Sequence, residues 1–186
     1  VEKYMKSPSF QEVEEAKKHF KELLEAYWLQ NDYLSWQWWL LLFGSTVPWI
    51  IWWVFVDKKR GVEILSFGLL AGVFSTILDA IGSNAMAWGY PIRLHWLFYP
   101  QLYPYDFTGI SILFMICYQI AKDSEKKFAL LALITSAFMA FGLEVIFVKI
   151  GIYEPYNWRH IYSFPIYFLI AWISRRIIKS LVKRGS

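Results

Sequence analysis

The sequence holds a single cysteine, Cys117, inside an apolar run, so an intrachain disulfide is excluded and the thiol reads as a small packing group. No serine nucleophile elbow, P-loop, zincin helix or dinucleotide fingerprint is present. HxxxH, ExxH and CxxC spacings are missing too, so no metal site is expected. The N-terminal residues lack the basic head, apolar centre and small-residue cleavage site of a signal peptide, and a start at Val1 suggests a trimmed chain. Alternating and heptad patterns that would bury a water-soluble core are also lacking. Charge is scarce, at 18% of the 186 residues, against 57% hydrophobic and 20% aromatic. With a mean hydropathy of +0.34, this is the composition of an integral membrane protein.

The apolar residues fall into five runs, near 35–56, 62–84, 105–121, 128–149 and 161–178, each approaching the roughly 20 residues that cross a bilayer. The fold class expected is therefore all-α, a bundle of five transmembrane helices over 35–186 with a separate N-terminal segment over 1–34. The formal net charge of +4 raises the question of nucleic acid, but the basic residues sit in short clusters between apolar runs, as topology signals do, and nucleic-acid binding is not expected. Asp57 to Arg60, Lys122 to Lys127, and the group Arg175, Arg176, Lys179, Lys183 and Arg184 all fall on one side, which the positive-inside rule makes cytoplasmic. The N-terminus and two aromatic loops then face outward.

In segment 9–30, Phe10, Val13, Phe20, Leu23, Leu24, Tyr27 and Trp28 recur at helical spacing while Glu14, Glu15, Lys18, Glu22 and Glu25 occupy other faces. Ser9 with Glu12 makes a capping box at its start. The pattern predicts an amphipathic helix on the outer membrane surface or over the top of the bundle, with docking of a protein partner as the alternative. Trp28, Trp36, Trp38 and Trp39 read as an interfacial belt, and Pro48 as a kink that leaves a carbonyl for a neighbouring group.

The second and fourth runs each carry an acid after a leucine, Leu78-Asp79 and Leu143-Glu144, followed by a glycine-led aromatic loop, WGYPIRLHWLFYPQLYPYDF and GIYEPYNWRHIYSFPIYF. Each loop contains an arginine and a histidine. The similarity predicts a parallel repeat of two helical hairpins, an arrangement that often places a site at the repeat interface. Helix period adds a second argument. Gly68, Gly72, Ser75, Asp79 and Gly82 follow at steps of four and three, and Ala132, Ser136, Ala140 and Glu144 at steps of four, with a weaker line through Asp106, Gly109, Leu113 and Cys117. Small-residue stripes mark close helix approach, so the acids should point inward. Asp79, Asp106 and Glu144 are expected to share one outward-facing pocket roofed by Trp88, Tyr90, Trp96, Tyr103, Tyr153 and Trp158. Arg93, His95, Arg159 and His160 are its expected counter-charges.

Such a pocket fits the binding or transport of a small cationic or amphipathic ligand, held by carboxylates and by cation–π contact. A membrane enzyme is the alternative, with Asp79 and Glu144 as catalytic candidates in acid/base chemistry on an isoprenoid or lipid. A structural or partner-binding subunit, its acids paired with Arg93, Arg159 or Lys149 to hold helix register, is the third. No cofactor and no oligomeric state can be read from these residues.

The run YWLQNDYLSWQWW, the DKKRG turn, LDAIGSNAMAWGYP and the closing IYEPYNWRHIYSFPIYF resemble a family of small polytopic membrane proteins from endospore-forming Gram-positive bacteria. The resemblance covers nearly the whole chain. It implies the bacterial cytoplasmic membrane, with the N-terminus outside and the C-terminus cytoplasmic, and carries no activity. A fainter likeness, an acid followed by an aromatic outer loop in repeated hairpins, is to the membrane domains of lycopene cyclases. Their proline-led acidic signature is not reproduced here, and no catalytic residue is carried over.

Overall fold

The computed structural model describes residues 7–185, with the side chain of Arg184 outside what is described. Helix α1 (Phe10–Tyr27) begins where the capping box places it: the Glu12 N–H donates to the Ser9 hydroxyl and the Ser9 N–H donates to the Glu12 carboxylate. None of its residues is buried. It rests on the rest of the chain through edge contacts, Phe20 against the Tyr99 ring and the Lys21 ammonium over Trp96. A π-helical turn, Trp28–Asp32, then carries the chain inward, and Trp28 and Asp32 are buried.

Among the described residues, four helices are long and apolar enough to cross a membrane. They are α2 (Trp36–Phe55), α3 (Gly61–Asn84), the run Glu125–Lys149, and α7 (His160–Gly185), of which His160–Lys183 is the apolar stretch. The run Glu125–Lys149 consists of α5 (Glu125–Phe138) and α6 (Glu144–Lys149), joined by the π-helical turn Met139–Leu143. Between α3 and α5 lies the π-helical turn Pro104–Gly109, continued by α4 (Ile110–Ala121). Two helix ends differ from the apolar pattern. Helix α5 starts three residues earlier than 128, because the Ser124 hydroxyl caps it by accepting the Lys127 N–H. Helix α7 runs beyond 178, where Lys179 is held by Glu63 of α3 and by Asp123 in the turn between α4 and α5.

Those partners gather all three charged clusters at one end of the bundle. Lys179 reaches Asp123 at 2.7 Å and Glu63 at 3.3 Å; Glu63 also meets Arg60 and accepts the Tyr118 hydroxyl at 2.6 Å. Arg175 donates to Glu125 and to the Lys122 carbonyl. Gln119 ties in the α2–α3 turn, accepting the Asp57 N–H and donating to the Phe55 carbonyl.

The stripe on α3 meets α4 closely. The Ser111 hydroxyl donates to the Gly68 carbonyl at 2.9 Å, and a Cβ at Gly68 would collide with Met115. Helix α2 packs at the edge, burying only Leu41 and Trp52. One turn before Pro48, the Ser45 carbonyl accepts from Thr108, which in turn accepts the Trp49 indole N–H at 2.9 Å. The bond at Ser45 ties this stretch of α2 to the Pro104–Gly109 turn; the carbonyl that Pro48 itself frees is that of Gly44, four residues back. The tryptophans expected as a membrane belt divide. Trp36 and Trp39 are exposed, whereas Trp28 and Trp38 donate to the Arg93 and Leu94 carbonyls and hold the first aromatic loop.

Candidate functional site

At the end of the bundle opposite the charged clusters, the two aromatic loops clasp one another. Strand β1 (Trp88–Gly89) pairs antiparallel with β2 (Glu154–Pro155), and the Tyr156 and Asn157 N–H groups donate to the Ala87 carbonyl. Beneath this clasp lies a cavity of about 230 Å³. Asp79 from α3, Asp106 from the Pro104–Gly109 turn and Glu144 from α6 all line it, and each is buried. Helix period brings them together, because Ser75 and Asp79 on one stripe, and Ala132, Ser136, Ala140 and Glu144 on another, are all buried.

Asp79 is held by the loop that follows it. Its Oδ1 accepts the Trp88 indole N–H at 2.8 Å and the Tyr90 hydroxyl. Oδ2 receives no hydrogen bond. Within hydrogen-bonding reach of Asp79 lies a second acid, Asp106, whose Oδ2 accepts the Leu102 N–H at 3.1 Å. Burial, with Asp106 and Asp79 nearby, pushes the Tyr90 phenol well above its usual range, so Tyr90 stays a donor. Burial, followed by the nearby Glu144, raises Tyr153.

Glu144 sits in a chain of hydroxyls and an imidazole. The Tyr105 hydroxyl donates to the Tyr167 hydroxyl at 3.3 Å, and the latter donates to Glu144 Oε1 at 2.5 Å. His160 Nδ1 meets Glu144 Oε2 at 2.6 Å. Trp158, which also lines the cavity, donates its indole N–H to Ser163 at 2.9 Å and packs edge-on against Trp88.

Close approach of Trp88 depends on Gly82, where a Cβ would overlap the indole six-membered ring. Gly82→Val is therefore expected to displace Trp88 from Asp79 and to cost about 1–3 kcal/mol, as overpacking does. Thermal unfolding reads the loss, and an unchanged melting temperature contradicts this packing.

Three expected counter-charges lie elsewhere. Arg93 is buried, but its guanidinium donates to the Pro100 carbonyl and lies against the Tyr90 and Tyr99 rings. His95 accepts the Leu97 N–H and packs on Trp28 and Trp96. Arg159 is exposed. Lys149 is exposed as well and has no ion pair with Glu144. Trp96 and Tyr103 do not line the cavity either; Trp96 lies beneath α1, and Tyr103 stacks between Phe98 and Phe107. Arg93, His95 and Arg159 lie in the loops, where sequence spacing does not set direction, and Arg93 and His95 are turned away by their own hydrogen bonds and ring contacts; Lys149 ends α6 five residues from Glu144, on another face. His160 differs because it opens α7, in register with Ser163, Tyr167 and Ile170. That stripe, at steps of three, four and three, is the signal by which Tyr167 could have been found. Tyr105 had no such signal beyond adjacency to Asp106.

Asp32 was also unmarked by pattern. It is fully buried, accepts the Arg93 N–H at 2.9 Å through Oδ2, and leaves Oδ1 without a donor. Burial pushes its carboxyl from 3.8 up to about 6. The folded chain therefore holds this proton more tightly than the unfolded chain. Its contribution to stability is fully present below about pH 4 and is lost as pH rises through about 6. Asp32→Asn should remove this component, so that the variant gains stability relative to the native chain between acid and neutral pH. Paired melting curves at pH 4.5 and 7.5 check it; a difference between the two proteins that does not change with pH contradicts it.

No group of His, Cys, Asp and Glu suited to a metal ion occurs among the described residues. Comparison of the chain with protein-family models, curated proteins and solved structures gives no match.

Proposed function

We propose that the cavity binds, or passes across the membrane, a small cationic or amphipathic ligand. One observation carries the reading: three acids from three helical segments line one space, and no lysine or arginine lines it with them. Carboxyl groups gathered in a low-dielectric site, with only the His160 imidazole beside Glu144 to balance them, are costly, and a bound cation offsets that cost. The unpartnered Asp79 Oδ2 favours an ammonium group, which donates N–H, over a cation without hydrogens. In this reading the segment Pro104–Ala121 is a fifth span, between α3 and α5, and spans two and three are related to spans four and five as a parallel repeat. The charged end faces the cytoplasm of a Gram-positive cell and the aromatic clasp faces outward. Titrating ethylammonium against the purified protein in lipid nanodiscs, with ethanol as the neutral control, tests the proposal. Saturable binding of the amine alone is expected, and no binding at any concentration refutes it.

A second reading, acid/base work on an isoprenoid or lipid, is favoured by the chain Tyr105–Tyr167–Glu144–His160, which connects a cavity wall to a half-exposed imidazole and so resembles a proton relay. It predicts a changed lipid species on incubation with membrane lipids, suppressed by Glu144→Gln.

A further inference from the structure

We infer that the ligand is a tailed amine whose protonated head lies among Asp79, Asp106 and Glu144 while its hydrocarbon chain leaves between α3 and α7 into surrounding lipid. This rests on reading the cavity as a cation site and adds the ligand class and the route. On α3 the cavity touches two kinds of residue. Ser75, Asp79 and Gly82 belong to the inward stripe, whereas Leu78 and Ile81 are 43% and 61% exposed on the outer surface. A space that meets both wraps around the side of the helix and emerges on the apolar surface of the bundle. Facing it across the gap are Ile166 and Ile170 of α7.

The space therefore runs from a polar, acidic interior to an apolar rim, which is the profile of a single-chain amphiphile. Its head end is marked by Asp79, only 6% exposed, whose Oδ2 receives no N–H from the chain and has the Asp106 carboxyl within reach, leaving an acceptor for one ammonium N–H. Its tail end is defined by volume. About 230 Å³ is below the usual range for a drug-sized site, so a long chain has to protrude through the rim. The aromatic clasp, with Trp88 packed edge-on against Trp158, lies over the other side of the cavity.

Equilibrium binding of ethylammonium and decylammonium to the protein in nanodiscs, each corrected for uptake by empty nanodiscs, separates the outcomes. Decylammonium is expected to bind at least about tenfold more tightly, since several methylenes contact the rim. Ile81→Trp and Ile166→Trp, which narrow the gap without replacing an acid, should remove that advantage. If ethylammonium binds but the longer amine binds no better, or if its advantage survives both substitutions, the tail route is overturned while the cation site stands. If neither amine binds the native protein, both are overturned.

Discussion

Asp79→Asn lowers the affinity for ethylammonium by about 30-fold or more, while the protein folds and melts at least as well as the native chain. The size follows from removing one buried partner of a charged hydrogen bond, worth about 2 kcal/mol or more, at roughly 1.4 kcal/mol per decade. The preserved fold follows from the geometry. Asparagine keeps an oxygen for the Trp88 and Tyr90 donors, and its amide N–H₂ faces Asp106, replacing an acid–acid contact with a donor–acceptor one. If the acids served only to hold helix register, the same substitution would lower the melting temperature and leave amine binding unchanged. Isothermal titration and thermal unfolding of the same preparation distinguish the two.

The largest effect on stability is expected at the opposite end, from Arg175→Ala. Arg175 is 1% exposed. Its Nε donates to Glu125 at 3.0 Å and its Nη2 to the Lys122 carbonyl at 2.9 Å, and its guanidinium lies over the Tyr118 and Phe128 rings. Truncation leaves the carbonyl unpaired and opens a void where α4, α5 and α7 meet, a loss of about 3 kcal/mol; Glu125, with its side chain 43% exposed, is rescued by water and adds little. Arg175→Lys should recover part of this by restoring charge and stem, because an ammonium cannot serve both acceptors in a planar fork. Equal melting temperatures for Ala and native proteins contradict the assignment.

How much of this was legible in the sequence depended on whether the residue stood on a regular helix. Asp79 and Glu144 could be placed from spacing alone because steps of four put them on the same faces as Ser75 and Ser136, and both faces are buried. Asp106 required only that its turn face the same way. The loops were another matter. Arg93 and His95 share sequence neighbourhood with Trp88 and Tyr90, but Asp32 captures the Arg93 N–H, Trp28 packs on His95, and both are drawn under α1 rather than into the cavity. That contact links residues about sixty positions apart, and no local pattern encodes it. The two arginines, which looked like the natural partners of the acids, therefore do not line the cavity, and His160 beside Glu144 is the basic side chain left in contact with an acid there.

The measurement that bears most directly on the acidic cavity is crystallographic: diffraction at the bromine edge from crystals soaked in 4-bromobenzylammonium, whose aryl bromide is inert and whose ammonium reports the head position. The account predicts one anomalous peak in the gap between α3 and α7, with the ammonium at Asp79 Oδ2, and loss of that peak in Asp79→Asn. Crystals that show no bromine there at saturating concentration, or the same peak after the substitution, would contradict it.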